Sequence, residues 1–293
     1  MLGLGYASVP AVKQYLQYAQ TLAVDIDDLL LQSGISPAIM AQENERISGE
    51  QLQQLLALLI AEINDPLFGL KSGELVQTGS YSVLGYITMT CATFADVLAC
   101  VQPYEKLVGD MGVTSIVKNR DEVQVHWHCA YPMPAVREQM IDNIFASWLW
   151  YSRWLSGQDL KPKYVHLQRE QPCDKQVLYY EKVFACPVLF AQADNCVVFP
   201  QGYLAVPLRQ PDNFLRKTLE QHALQQMSAL DKPQPLSARV KDIIRFLLAK
   251  GITRKDMVAA QLNMSEKTLQ RKLQLEATSY QKLLDEARLQ LAQ

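Results

Sequence analysis

Long apolar runs are missing from this sequence. The longest, such as LLALLI at 55–60, fall far below the ~18–20 consecutive apolar residues that cross a bilayer, so no membrane partner is expected. CxxC pairs are missing too. The six cysteines (Cys91, Cys100, Cys129, Cys173, Cys186, Cys196) are dispersed along 293 residues, which excludes a small disulfide scaffold and leaves most of them as small core hydrophobes. Histidine is scarce, at positions 126, 128, 166 and 222, and neither a glycine-rich phosphate loop nor a GxSxG motif occurs. So little imidazole gives no basis for a catalytic triad or an acid/base pair; the chain is not expected to be an enzyme or to carry a cofactor. Histidine and cysteine crowd together in VHWHC at 125–129, but a strand puts His126 and His128 on one face and Cys129 on the other, so no metal site is expected. The N-terminal MLGLGYASVPAV has no basic residue ahead of its apolar part and makes a poor signal peptide, which points to the cytoplasm.

What is present is a globular composition, 49% hydrophobic and 20% charged, in a chain long enough for two domains. The net charge of −2 hides an asymmetry. Residues 236–293 carry eleven Lys and Arg against six Asp and Glu, a balance of +5, while the preceding 235 residues carry 17 against 24, a balance of −7. A basic terminal segment on an acidic body suggests that the end of the chain meets a polyanion.

Residues 10–65 carry helical patterning. In ISGEQLQQLLALLIAEIND, Ser48 precedes Gln51 by the spacing of a capping box, and Leu52, Leu55, Leu56, Leu59 and Ile63 form one stripe. A second helical stretch runs from Gly79 to Val108, interrupted at Gly85 and restarted after Thr93. The period then shortens to two: VTSIVKN and EVQVHWH predict a hairpin turning near Asn119–Arg120–Asp121, with Val123, Val125 and Trp127 opposite Gln124, His126 and His128. A long helix over 135–155 offers Ile141, Ile144, Phe145, Trp148, Leu149 and Leu155 to a sheet. Further strands are expected at KYVHLQ (163–168), at Val188 and in AQADNCVVFP. Helices and adjacent strands in this order predict an α+β fold with an antiparallel or mixed sheet. The prolines of LDKPQPLSA (230–238) end that body, dividing the chain into 1–232 and 236–293.

After the break, SARVKDIIRFLLAKG is an amphipathic helix with Val240, Ile243, Ile244, Leu247 and Leu248 on one face and Gly251 as its stop. Thr253 and Asp256 are spaced to start a short second helix, whose Ala259 and Ala260 leave room for a neighbour. Asn263 sits where the chain must turn, and Ser265 caps a third helix. At about 100° per residue, Leu269 and Leu273 fall together while Lys267, Thr268, Arg271 and Gln274 face away, flanked by Gln270 and Lys272. Such a helix fits the major groove of duplex DNA, where Arg or Lys pairs with guanine and Gln with adenine, and its capped start at Ser265 can receive a phosphate. A small helical bundle with a solvated cationic face is the other explanation of the same pattern.

The segment MVAAQLNMSEKTLQRKLQLEATSYQKLLDEARLQLA resembles the first helix-turn-helix of AraC-type transcriptional regulators and the helix that follows it. The body, in GSYSVLGYITMT, TFADVL, YYEKVFACPVLFAQADNCVVFP and LAVPL, resembles the arabinose-binding-type N-terminal domain shared with ornithine-responsive regulators. The resemblance implies an effector-sensing and dimerisation domain followed by a DNA-binding module, with base contacts at Lys267, Gln270 and Arg271. It also implies a small-molecule effector, a homodimer, and a second helix-turn-helix beyond Gln293. The chain is therefore expected to be a regulator shortened after its first helix-turn-helix and to bind DNA weakly unless it dimerises. The alternative is a sensor without competent DNA binding that acts by hetero-oligomerising with other regulators. Ala277 stands where the family has glycine, so an altered turn is expected there. For the effector, Tyr81, Tyr86, His126, His128, Trp148 and Tyr151 are the candidate pocket residues, with Trp150 and Trp154 nearby.

Overall fold

The computed structural model describes residues 4–129, 131–230, 235–248, 254–262 and 264–291. The chain opens with β1 (Tyr6–Ser8), which runs directly into α1 (Val9–Thr21); the Ser8 hydroxyl accepts from the Ala11 amide, and Pro10 occupies the first turn, where its missing N–H costs nothing. Asp25 caps α2 (Ile26–Gln32) by accepting from the Asp28 amide. After β2 (Arg46–Ser48), antiparallel to β1, comes α3 (Gly49–Ile63) with the expected reciprocal capping box between Ser48 and Gln51. Leu52, Leu55, Leu56 and Leu59 of α3 are fully buried, as their spacing requires.

The next short helix, α4 (Phe68–Gly73), lies across the long α7 (Pro134–Ser156) at backbone contact. A Cβ on Gly69 would stand 2.2 Å from the Gln139 carbonyl oxygen and one on Gly73 2.6 Å from that of Asn143, so only glycine lets the helices meet. Between them in sequence are α5 (Ser82–Met89) and α6 (Phe94–Val108), the latter started by a Thr93–Asp96 capping box.

The main sheet of the body contains β3 (Gly112–Lys118), β4 (Glu122–Cys129), β5 (Tyr164–His166), β6 (Val188–Leu189) and β7 (Cys196–Pro200), in the order β3-β4-β7-β5-β6. All pairs are antiparallel except β5 with β6, which follows α8 (Asp174–Phe184). The β3–β4 hairpin turns where the sequence indicates: the Asn119 side-chain oxygen accepts from the amides of Asp121 and Glu122 at 3.0 and 2.9 Å. Register sets two faces apart. Val125, Val197 and Val165 pair across three strands and are buried beneath the helices. One residue along, His126, Cys196 and His166 pair across the same three strands and point to the opposite face.

The body closes with α9 (Asn213–Leu230), which sequence periodicity did not single out; it buries Ala223 and rests Leu219, Met227 and Leu230 on α5 and α6. Among the described residues four further helices follow: α10 (Leu236–Leu248), α11 (Lys255–Gln261), α12 (Glu266–Leu275) and α13 (Tyr280–Leu291). They share a core of their own in which Val240, Ile244, Leu247, Val258, Leu269 and Leu273 meet Leu283, Leu284 and Ala287. The expected stop at Gly251, helix start at Thr253 and turn at Asn263 lie outside the described residues. Arg254 holds the N-cap position of α11 with no capping bond from its side chain; Asp256 in the first turn pairs instead with that guanidinium. Ala259 is buried as expected, whereas Ala260 is exposed.

Candidate functional site

Helix α12 is short, about 15 Å at 1.5 Å per residue. Its start is fixed by Ser265, whose hydroxyl accepts from the Thr268 amide at 3.2 Å and lies 2.9 Å from the Thr268 hydroxyl. Its underside is fixed by Leu269 and Leu273, both 0% exposed. Its far end is tied to the first helix of the group: the Glu276 carboxylate accepts from the amides of Leu236 and Ser237 at 2.7 and 2.8 Å. The bond to Ser237, with the positive end of α10, holds that carboxyl below the usual range. Lys241 of α10 bonds to Glu286 of α13 at 2.9 Å, closing the bundle.

On this frame Ser265, Lys267, Gln270, Arg271, Lys272 and Gln274 are exposed and Thr268 is half-buried. Lys267, Arg271 and Lys272 take no part in an ion pair among the described residues. Gln270 differs from its neighbours, since its side-chain oxygen accepts from Lys255 Nζ of α11 at 3.0 Å. The α11–α12 pair therefore presents a continuous polar and cationic surface. Ala277 adopts the left-handed conformation (φ +54), and the Thr278 amide bonds back to the Leu273 carbonyl at 3.0 Å, so a turn of the kind glycine makes most easily forms here with a Cβ in place.

A second candidate site lies inside the body. A cavity of about 160 Å³ opens between the valine-lined face of the sheet and α5, α6 and α7, with walls from Leu84, Val97, Leu98, Trp127, Ile144 and Phe199. Of the aromatic candidates, Tyr81, Trp148 and Tyr151 line it. The hydroxyls of the two tyrosines are already engaged, Tyr81 donating to Ser147 Oγ at 2.9 Å and Tyr151 to the Gly85 carbonyl at 2.7 Å, so both present ring rather than hydroxyl to the space. Glu105 is the carboxylate of the lining; burial raises its affinity for a proton, and its one described bond accepts from the Thr114 amide at 3.1 Å. Sequence patterning gave no hint of Glu105, because an acidic residue near the end of an amphipathic helix looks solvated until the sheet is folded against it.

The remaining candidates fall elsewhere. Tyr86, Trp150 and Trp154 are largely exposed, and His126 and His128 occupy the opposite face of β4 from the cavity. There the His126 and His128 rings stack 6.3 Å apart, and Cys129 faces the other way, as strand alternation requires.

A third feature is a buried polar cluster. The Asp142 carboxylate, 0% exposed on α7, accepts from Arg169 at 2.7 Å and from the Tyr180 hydroxyl at 2.6 Å through one oxygen, while its other oxygen has no partner. Burial pushes its pKa up to about 6, against the pull of Arg169.

Residues 24–208 match the family described as the arabinose-binding domain of AraC transcription regulators, N-terminal. The chain is 24% identical over 260 residues to the ornithine utilization regulator of Pseudomonas aeruginosa, a match covering 88% of this chain and 75% of that protein. To an uncharacterized HTH-type transcriptional regulator of Mycobacterium tuberculosis it is 25% identical over 288 residues, covering 96% and 82%. Among solved structures it is similar in fold to the transcriptional regulator CdpR from Pseudomonas aeruginosa, with a TM-score of 0.50, 20% identity, and coverage of 90% of this chain and 81% of that one. A match over most of the body, joined to relatives that are regulators rather than enzymes, places the chain in a family: it belongs to the AraC-type transcription regulators that carry an arabinose-binding N-terminal domain.

Proposed function

We propose that this chain is a ligand-responsive, sequence-specific DNA-binding regulator, in which residues 1–232 sense a small molecule and residues 236–293 present α12 to the major groove. The observation that carries the proposal is the polarity of α12: two leucines wholly buried beneath it, and Lys267, Gln270 and Arg271 free of the acidic body on its outer side. An Arg or Lys on such a helix pairs with guanine, and Gln with adenine, while the amides behind Ser265, the flanking Lys272 and the outward Gln274 suit the phosphate backbone. One such helix reaches one segment of groove, so two chains acting as a homodimer supply the phosphate contacts on which affinity depends.

The test begins with duplexes selected from a random library by the purified chain, followed by titration of a selected and a random duplex. Arg271→Ala is expected to cost about 1–3 kcal/mol at a single base step and to relax preference there, and raising salt from about 50 to 200 mM should weaken binding steeply. Equal affinity for the two duplexes would refute sequence reading. A flat salt response would favour a protein partner in place of DNA.

The effector belongs in the cavity. Its walls are aliphatic and aromatic and its carboxylate is Glu105, a combination suited to an apolar body carrying one hydrogen-bonding group. A free amino acid such as the one in the name of the Pseudomonas relative would leave most of its charge unpaired there. Thermal-shift titration of the chain with fatty acids, amino acids and sugars should therefore find its stabilising ligands among amphipathic molecules. Val97→Trp, which fills the space, should abolish the shift while leaving DNA affinity intact.

A further inference from the structure

The outer face of the sheet carries a constellation that neither the groove-facing helix nor the effector cavity uses. His126 on β4, Cys196 on β7 and His166 on β5 are direct cross-strand partners, so their side chains leave the sheet in one row on one face. Asp194, two residues before Cys196, folds its carboxylate over that row: one oxygen lies 3.0 Å from His126 Nδ1 and the other 3.7 Å from His166 Nδ1. The donor atoms of His126, Asp194 and Cys196 all lie within 4.8 Å of one another. From this geometry we infer that His126, Asp194 and Cys196 form a binding site for a borderline divalent transition-metal ion of the zinc class, with His166 at its edge as the fourth ligand.

The donor set selects the ion. Thiolate and imidazole together favour zinc and its neighbours over magnesium or calcium, which take oxygen ligands. Around a tetrahedral zinc ion, bond lengths of ~2.0–2.3 Å put donor atoms roughly 3.3–3.8 Å apart, so the donors of His126, Asp194 and Cys196 need only small rotamer adjustments to converge, while His166 approaches through the Asp194 carboxylate 3.7 Å away. The orientation of His126 is already that of a ligand. Its Nε2 is 3.2 Å from the Gln124 side-chain oxygen, an acceptor that would hold a proton on that nitrogen once the ion displaces the hydrogen bond between Nδ1 and Asp194, now 3.0 Å long, and takes Nδ1 as its ligand. Tyr164 stacks on the His166 ring at 4.9 Å and holds it beside the row. Access is open from one side, since the Cys196 residue is 2% exposed while the Asp194 side chain is 39% exposed. On binding, the ion takes the place of the thiol proton of Cys196, which passes to solvent. The ion would clamp β4, β7 and β5 together directly behind Val125 and Trp127, two residues of the cavity wall.

The test uses the full chain, stripped with a chelator and titrated with cobalt(II) as a spectroscopic probe. One equivalent is expected to bind, with intense visible bands of a four-coordinate ion and a near-ultraviolet thiolate-to-cobalt band; zinc should displace it. Cys196→Ser should abolish the near-ultraviolet band, while Cys173→Ser, at an exposed cysteine away from the row, should retain it. Asp194→Asn, at a side chain too exposed to threaten folding, should weaken cobalt binding by at least tenfold. Gln124→Leu, which removes only the support of His126, should weaken it by about 10–100-fold. Failure of the unmutated chain to take up a stoichiometric ion would overturn the site, as would a thiolate band that survives in Cys196→Ser or an affinity unchanged in Asp194→Asn.

Discussion

The acidic body and the basic C-terminal helices handle charge in opposite ways. The body buries it: Asp142 is 0% exposed, clamped to Arg169 and Tyr180, with Glu138 3.4 Å from the same guanidinium. Among the described residues the C-terminal bundle builds its core from aliphatic side chains, and on its outer helix Lys267, Arg271 and Lys272 stand exposed and unpaired. A buried ion pair has already lost its water and been committed to one partner, so it fixes how elements dock. A cation left in water stays available to a partner from outside. The difference separates charge that specifies structure from charge that awaits a ligand.

The largest expected effect breaks the buried side of that comparison. Asp142→Ala leaves the Arg169 guanidinium without its counter-charge and should destabilise the body by about 3–5 kcal/mol, measured by denaturant unfolding at neutral pH. The same carboxyl gives a pH signature. Its folded pKa is raised to about 6 from the ordinary 3.8, so between those values the native state holds a proton that the unfolded chain has released. Its contribution is therefore present at the acid end and is lost as pH rises through about 4 to 6, a change on the order of 2–3 kcal/mol. Asp142→Asn, which cannot titrate, should remove that step from the pH profile of unfolding. A profile parallel to that of the unmutated chain would show that the carboxyl is ionised throughout.

On the other side, Leu273→Ala removes the side chain on which α12 rests. A loss of about 2–5 kcal/mol is the usual range for a buried leucine. In a bundle with so small a core it should unfold the C-terminal helices and abolish DNA binding, while the effector-induced thermal shift of the body persists. Loss of both responses together would mean that the two regions fold as one unit.

Much of this division was legible in the residues, and the legible parts share a physical cause. The capping box at Ser48, the helix restart after Thr93, the Asn119 turn, and the Leu269–Leu273 stripe are local: a few neighbouring side chains determine the backbone, so order along the chain is enough. The β1–β2 pair was not foreseen because three residues cannot display a period. α9 buries one small residue and shows no strong stripe. Glu105 acquires its environment only when α6 meets the sheet. The row of His126, Cys196 and His166 depends on register between strands far apart in sequence, and adjacent histidines in VHWHC drew attention to the wrong cysteine. Cys129 lies next to them in the chain, whereas Cys196 lies next to His126 in space.

The smallest expected effect concerns the junction on which the display of charge depends. Ala277 adopts φ +54 between α12 and α13, a conformation that costs a residue with a Cβ about 1–2 kcal/mol. Glycine relieves that strain, but it also gives the unfolded chain more freedom, and the two effects partly cancel. Ala277→Gly should therefore stabilise the C-terminal helices by only about 0.5–1 kcal/mol. The gain should appear in their unfolding and not in that of the body. The junction does more than connect: through the Thr278 amide bonded to Leu273 it sets the direction in which α13 leaves, and Leu283 and Leu284 of α13 complete the core under α12. If the left-handed turn is what holds the cationic face outward, the glycine variant keeps the affinity of the unmutated chain for a selected duplex while resisting denaturant better. A gain in stability accompanied by lost DNA affinity would show instead that the Ala277 side chain, and not merely its backbone conformation, fixes the angle at which α12 is presented.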